Sequence, residues 1–184
     1  MNKILLAGLL LAALTGCKDE RETGVKPTNV IDVSAVADPN SFAQPEKVRI
    51  EHIDLDLGVD MDARVLRGSA LYRLQWLDGR ASELVLDTRG IDIRTVPGLD
   101  GKKWRDLTFK QDDEDAMYGS ALRITMKQQL PQVRINYATR PEASGLQWLT
   151  PEMTASGQPF MFSQSQAIHA RSWVPLQDTP GVRF

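Results

Sequence analysis

Cysteine, histidine and aromatic side chains are all scarce in this chain. A single cysteine, Cys17, excludes an internal disulfide. The two histidines, His52 and His169, stand far apart, and neither is followed by glutamate. A His-Glu-x-x-His zinc site, which needs two imidazoles one helical turn apart, is therefore absent. No apolar run reaches the roughly 20 residues that a membrane-spanning helix requires. The net charge is −2, and lysines and arginines are scattered along the chain, which gives nucleic acid no electrostatic foothold. Helical striping of apolar residues, internal repeats and low-complexity tracts are missing as well.

What is present begins with a targeting signal. Lys3 precedes the apolar run Ile4 to Leu14, broken only by Gly8. The run ends in Leu14-Thr15-Gly16-Cys17, which resembles the bacterial lipobox. On that resemblance residues 1–16 are a signal peptide, cleavage falls before Cys17, and the Cys17 thiol receives a diacylglycerol. A plain secretory signal with an incidental Cys17, or a short membrane anchor, is the other reading. Lys18 after the cysteine resembles lipoproteins sorted to the outer membrane. The expected location is thus the cell envelope, lipid-anchored on the periplasmic side of the outer membrane.

Residues 17–47 are polar, with Pro27, Pro39 and Pro45, and are expected to form a linker and extended arm. From residue 48 to 184 the pattern becomes two-residue alternation. Ile53, Leu55 and Leu57 fall on one strand face and His52, Asp54 and Asp56 on the other. Leu66, Ala70, Tyr72, Leu74 and Trp76 continue the logic, with Gly68 as a bulge or close-packing point. Shorter strands are expected at 84–86, 91–96, 122–126 and 133–137. Gly79, Gly90, Pro97-Gly98, Gly101 and the acidic run Asp112-Asp113-Glu114-Asp115 separate them, and the acidic run reads as a solvated loop. These signals predict a mainly β domain, an antiparallel saddle-shaped sheet or β-sandwich.

The segments Gly145-Leu146-Gln147-Trp148-Leu149-Thr150-Pro151-Glu152, Phe162-Ser163-Gln164-Ser165-Gln166-Ala167-Ile168-His169-Ala170-Arg171 and Gln177-Asp178-Thr179-Pro180 carry a family likeness. They resemble the end of the N-terminal β domain of the gluzincin zinc aminopeptidases, peptidase family M1, in the leukotriene hydrolase/aminopeptidase branch. Upstream, Asp38 to Pro45, His52 to Leu57 and Leu84 to Thr88 with Ile91-Asp92-Ile93 are similar to earlier family blocks, in order. The resemblance implies the same mainly β fold and the removal of N-terminal residues from peptides. It also implies a catalytic zinc on a later domain, so no cofactor belongs to this chain. The family's glycine-rich Met-Glu-Asn loop is absent too. The chain alone is expected to lack peptidase activity, and further strands of the same domain are expected after Phe184.

Gln164 and Gln166, with Ser165 between them, are the candidate substrate-binding residues. A glutamine amide both donates and accepts, which suits a peptide backbone or terminal ammonium. On an extended segment both glutamines would share a face, with Ser165 opposite. By spacing alone they read as amides satisfying loop backbone; the resemblance implies that they seat the first substrate residue. His169 is expected to be a packed, hydrogen-bonded histidine, and Arg171 with Asp178 a bracing ion pair. Trp148, Trp173 and Phe162 belong either to the core or to a face meeting the next domain. Ser163, His169 and Asp178 could be assembled into a hydrolase triad only on paper, since nothing positions an elbow. Expected partners are peptide N-termini and, through the lipid, a membrane; nucleic acid is not one. The competing class is a non-enzymatic envelope lipoprotein using the β module for binding or assembly.

Overall fold

A computed structural model describes residues 37–184. Cys17 and the signal segment lie outside the described residues. Eleven strands follow in order: β1 Val48–Asp60, β2 Val65–Trp76, β3 Glu83–Thr88, β4 Ile91–Thr95, β5 Pro97–Asp100, β6 Lys103–Asp106, β7 Thr108–Gln111, β8 Ser120–Thr125, β9 Gln132–Thr139, β10 Leu146–Leu149 and β11 Phe160–Ser163. Every named pairing is antiparallel. A six-stranded sheet runs β1-β2-β9-β5-β6, with β4 also on β9, and a three-stranded sheet runs β3-β8-β7. The last two strands form a separate ribbon.

Both larger sheets turn their apolar faces into one core. Val48, Ile50, Ala70, Tyr72, Val133 and Ile135 come from the first sheet, and Leu84, Leu86, Leu122 and Ile124 from the second. The period-two pattern dictates this, because alternate residues of a strand face the same side. In β1 a register shift between Ile50 and His52 moves the inward set from Val48 and Ile50 to Ile53 and Leu57. Leu55, expected beside them, is 44% exposed and does not pack on this core. Gly68 is a point of close packing: a Cβ there would lie 2.0 Å from the Asp56 carbonyl oxygen.

Pro97-Gly98 is a correction to the sequence reading. The pair opens β5 instead of separating strands, and Gly98 faces Val133. Proline is tolerated at a strand's first position, and a side chain at Gly98 would run into Leu130 and Leu107. The turn expected after Trp76 is present, as is the acidic loop. There Asp112 pairs with Arg123, and Asp115 accepts the Met117 and Tyr118 amides.

The buried edge of the first sheet is closed by a side chain. Gln177 accepts the Ile50 amide at 2.9 Å and donates to the Val48 carbonyl at 2.7 Å. One amide group thus replaces a rung of strand pairing. Tyr72 donates to the Pro175 carbonyl at 2.6 Å, and burial pushes its phenol well above the usual range.

Candidate functional site

The ribbon of β10 and β11 carries the candidate residues to one end of the domain. Its inner face is apolar: Leu146 packs with Leu66 and Ala143, and Trp148, Met161 and Trp173 close over them. The outer face presents Gln147 opposite Phe162, and Leu149 opposite Phe160. Phe160 and Phe162 are exposed, with ring centroids 6.4 Å apart. Trp148 and Trp173 therefore belong to a small core, and Phe162 to a surface.

Pairing continues one step past Ser163, where the Gln164 amide donates to the Gly145 carbonyl at 2.8 Å. There the strand ends, and residues 166–169 form a turn closed by the His169 amide on the Ser165 carbonyl at 2.9 Å. The shared strand face expected for Gln164 and Gln166 is thus not formed. Instead Gln164 Oε1 accepts the Gln166 amide at 3.2 Å, so the first glutamine shapes the loop that displays the second. Both side chains are exposed, and the Gln166 carboxamide has no partner among the described residues. Ser165 points inward, its hydroxyl accepting from Trp173 Nε1 at 3.2 Å.

The turn is stitched down on both flanks. Gly145 donates to Ser172 Oγ at 2.8 Å, and Ser172 donates in turn to the His169 carbonyl. A Cβ on Gly145 would lie 2.6 Å from that carbonyl oxygen and 2.8 Å from the Trp173 ring. His169 Nδ1 faces Arg89 Nη2 and Ser144 Oγ, each at 2.8 Å. A guanidinium can only donate, so Nδ1 accepts and the ring proton sits on Nε2. His169 is a packed, hydrogen-bonded residue, as its sequence context predicts.

Beneath the turn lies a buried ionic cluster. Arg171 gives Nε to Asp178 Oδ2 at 3.0 Å, Nη1 to the Tyr118 carbonyl and Nη2 to the Asp178 carbonyl. The expected Arg171–Asp178 pair is present. Asp87 joins it, accepting the Ser41 hydroxyl at 2.6 Å and the amides of Phe42 and Asp178. Burial raises the Asp87 carboxyl above its ordinary range, against the downward pull of these donors and of Arg171.

Ser163, His169 and Asp178 do not form a triad, because His169 is engaged by Arg89 and Ser144, and Asp178 by Arg171. His52 lies on β1, paired with Asp54 at 2.9 Å. Among the described residues no three His, Cys, Asp or Glu side chains converge, so these residues do not fit a zinc ion. Sequence reasoning missed Gly145, Asp87 and Arg89. Gly145 and Asp87 stood inside the family blocks, but only their tertiary neighbours give them roles.

Residues 49–183 match the Peptidase M1 N-terminal domain family. Leukotriene A-4 hydrolase of Xenopus laevis is 40% identical over 155 residues, covering 81% of this chain and 25% of that protein. Leucine aminopeptidase 2 of Coccidioides immitis is 34% identical over 154 residues, covering 79% and 24%. Among solved structures, yeast LTA4 hydrolase in complex with bestatin superposes with a TM-score of 0.73 at 30% identity, covering 81% of this chain and 24% of that one. Native leukotriene A4 hydrolase from Saccharomyces cerevisiae gives 0.72 at 32% identity, covering 79% and 23%. The chain spans about a quarter of the length of these relatives.

Proposed function

The chain belongs to the Peptidase M1 N-terminal domain family, and from that premise we propose that it is the substrate-recognition domain of a zinc aminopeptidase. In this reading it seats the N-terminus of a peptide whose first residue is then removed, the zinc being held by residues beyond this chain. The family supplies zinc chemistry; the residues described here bind and orient. Gln166 offers an amide donor and acceptor to the first peptide unit or its ammonium, and Gln164 fixes the loop that holds it. Phe160 and Phe162 add an exposed apolar surface beside them.

One observation carries the reading: the Gln166 carboxamide is exposed, while the backbone on either side of it is pinned through Gly145 and His169. A polar group held out on a fixed loop is pre-organised for a ligand, which lowers the cost of binding. The test is aminoacyl hydrolysis by a polypeptide carrying this domain joined to the zinc-bearing region. Gln166→Ala should lower kcat/KM by roughly ten- to a hundredfold, matching a hydrogen bond to a charged group at about 1.5–3 kcal/mol. The melting temperature should stay put. A lower melting temperature with unchanged kinetics would remove Gln166 from the substrate site.

The Leu-Thr-Gly-Cys sequence supports a lipid anchor on Cys17 and a place on the periplasmic side of the outer membrane. Cys17→Ala should abolish processing or release the protein from the membrane fraction. Recovery of a processed, membrane-bound variant would overturn the anchor.

A further inference from the structure

We propose that the outer face of the six-stranded sheet docks onto an anionic lipid surface. Strand register, not sequence proximity, creates this face. Arg49 on β1 stands opposite Gln75, and Arg73 on β2 stands between His52 and Gln132. Arg134 on β9 lies opposite Leu71, one outward position along from Arg73. Partners across a rung share a face. The three arginines therefore form an oblique stripe on the side away from the core, across three adjacent strands.

Their charges are uncommitted. Arg67, Arg105, Arg123, Arg140 and Arg171 each have a carboxylate partner, whereas among the described residues Arg49, Arg73 and Arg134 have none. The Nε groups of Arg49 and Arg134 are buried with no acceptor among the described residues. An unspent guanidinium donor on a sheet face suits phosphate oxygens, which accept in its fork geometry.

The stripe ends at an aromatic edge. The Arg134 guanidinium lies 5.1 Å from the centre of the Trp104 ring, which is 42% exposed. Beyond Trp104 the β5–β6 hairpin tip is exposed and carries Lys102 and Lys103. Indole rings settle at the headgroup level of a bilayer, and nearby lysines and arginines add attraction to anionic lipid. This face also carries acids: Asp54 and Asp56 follow along the outer strand β1, Asp92 on β4 is paired with Arg140, and Asp106 stands across from Pro97 at the sheet's edge. The attraction is therefore confined to the arginine stripe and the lysines beyond it. With a net charge of −2 the whole molecule gives no general attraction to anions, so binding must come from this local face.

The proposal stands apart from acylation of Cys17, and its test leaves residues 1–47 unaltered in every variant. The full unacylated chain is partitioned onto vesicles of equal parts phosphatidylglycerol and phosphatidylcholine, and onto phosphatidylcholine alone. The wild type should prefer the anionic vesicles. That preference should fall about fivefold for each of Arg49→Gln, Arg73→Gln and Arg134→Gln, corresponding to about 1 kcal/mol per cation near the surface. Lys110→Gln, on β7 of the other sheet, should leave it unchanged. Salt that shortens the Debye length to about 3 Å should abolish the wild-type preference, a readout that needs no variant to fold. Equal binding to both vesicles overturns the proposal, as does a folded triple variant with undiminished preference. Duplex DNA bound through the same arginines in place of vesicles also overturns it.

Discussion

The carboxylate of Asp87 and the guanidinium of Arg171 face each other at 3.8 Å, with neither side chain reaching solvent. They do not hydrogen-bond directly. Asp87 is satisfied by Ser41, Phe42 and Asp178, and Arg171 by Asp178 and the Tyr118 carbonyl. The arm at 38–44, strand β3 and the segment at 170–178 thus meet on one pair of buried charges. Removing one member leaves the other's charge and several backbone amides uncompensated, at a cost of about 3 kcal/mol or more. Asp87→Ala should lower the urea-unfolding free energy by that amount, and an effect below about 1 kcal/mol would show that the cluster is not a stabilising joint.

The same carboxyl has a pH signature. Burial holds its folded pKa above the ordinary aspartate value of about 3.9. Between those two values the folded state binds the proton and the unfolded state does not. Its stabilising contribution is therefore complete below the ordinary value and is lost as pH rises through the folded one. Asp112 and Asp115, held below the usual range by Arg123 and by the Tyr118 and Met117 amides respectively, act in the opposite sense. They are common to wild type and Asp87→Asn, so they cancel in the difference. The stability of wild type minus that of Asp87→Asn should fall as pH rises across the window. Denaturant titrations at several pH values check it, and a difference that grows with pH would contradict the assignment.

Gln177 makes a separate prediction. Its amide satisfies a buried N–H and a buried C=O of β1, and Gln177→Leu would strand both. Each unmet group costs about 1–3 kcal/mol. Hydrogen exchange at the Ile50 amide should accelerate in Gln177→Leu well beyond that at the Ala70 amide on the neighbouring strand. Uniform acceleration across the sheet would point instead to a global effect.

Much of the sheet architecture was legible in the sequence, because alternation over β1, β2, β3, β8 and β9 reflects a face that must be buried. The strand from Lys103 to Asp106 was not, since all four residues are exposed and no alternation exists to read. The ribbon was recognised through family likeness, not through pattern. Asp87 appeared only as a strand residue; its donors Phe42 and Asp178 lie 45 and 91 positions away. The arginine stripe was hidden for the same reason, because register between strands is a tertiary fact. The strand-like reading of Gln164 and Gln166 failed on the loss of pairing after Gln164, where the chain turns to reach His169.

Gly145 tests whether the site depends on close backbone contact. Gly145→Ala drives a methyl against the His169 carbonyl, the Trp173 ring and Ser172 Oγ. Backbone cannot yield as a flexible side chain can, so overpacking of about 1–3 kcal/mol is expected. Amide chemical shifts from Gln164 to Trp173 should move, while those of β2 and β9 stay in place. A variant with unmoved shifts in the turn would show that the loop is not pinned there.

Gln164 separates bracing from ligand contact. Its Oε1 accepts the Gln166 amide, so Gln164→Ala frees the loop and should lower peptide affinity through misplacement of Gln166. Gln164→Glu keeps an acceptor oxygen for that amide but loses the carboxamide donor. If Gln164 serves as the brace, Gln164→Glu should restore most of the affinity lost in Gln164→Ala, since the hydrogen bond to Gln166 is retained and strengthened by charge. If its N–H group donates to the peptide, Gln164→Glu should be as weak as Gln164→Ala or weaker. Binding of a short unblocked peptide, followed alongside the Gln166 amide shift, distinguishes the two. A rigid loop combined with lost affinity in Gln164→Glu would place Gln164 in direct contact with substrate and end its role as a brace alone.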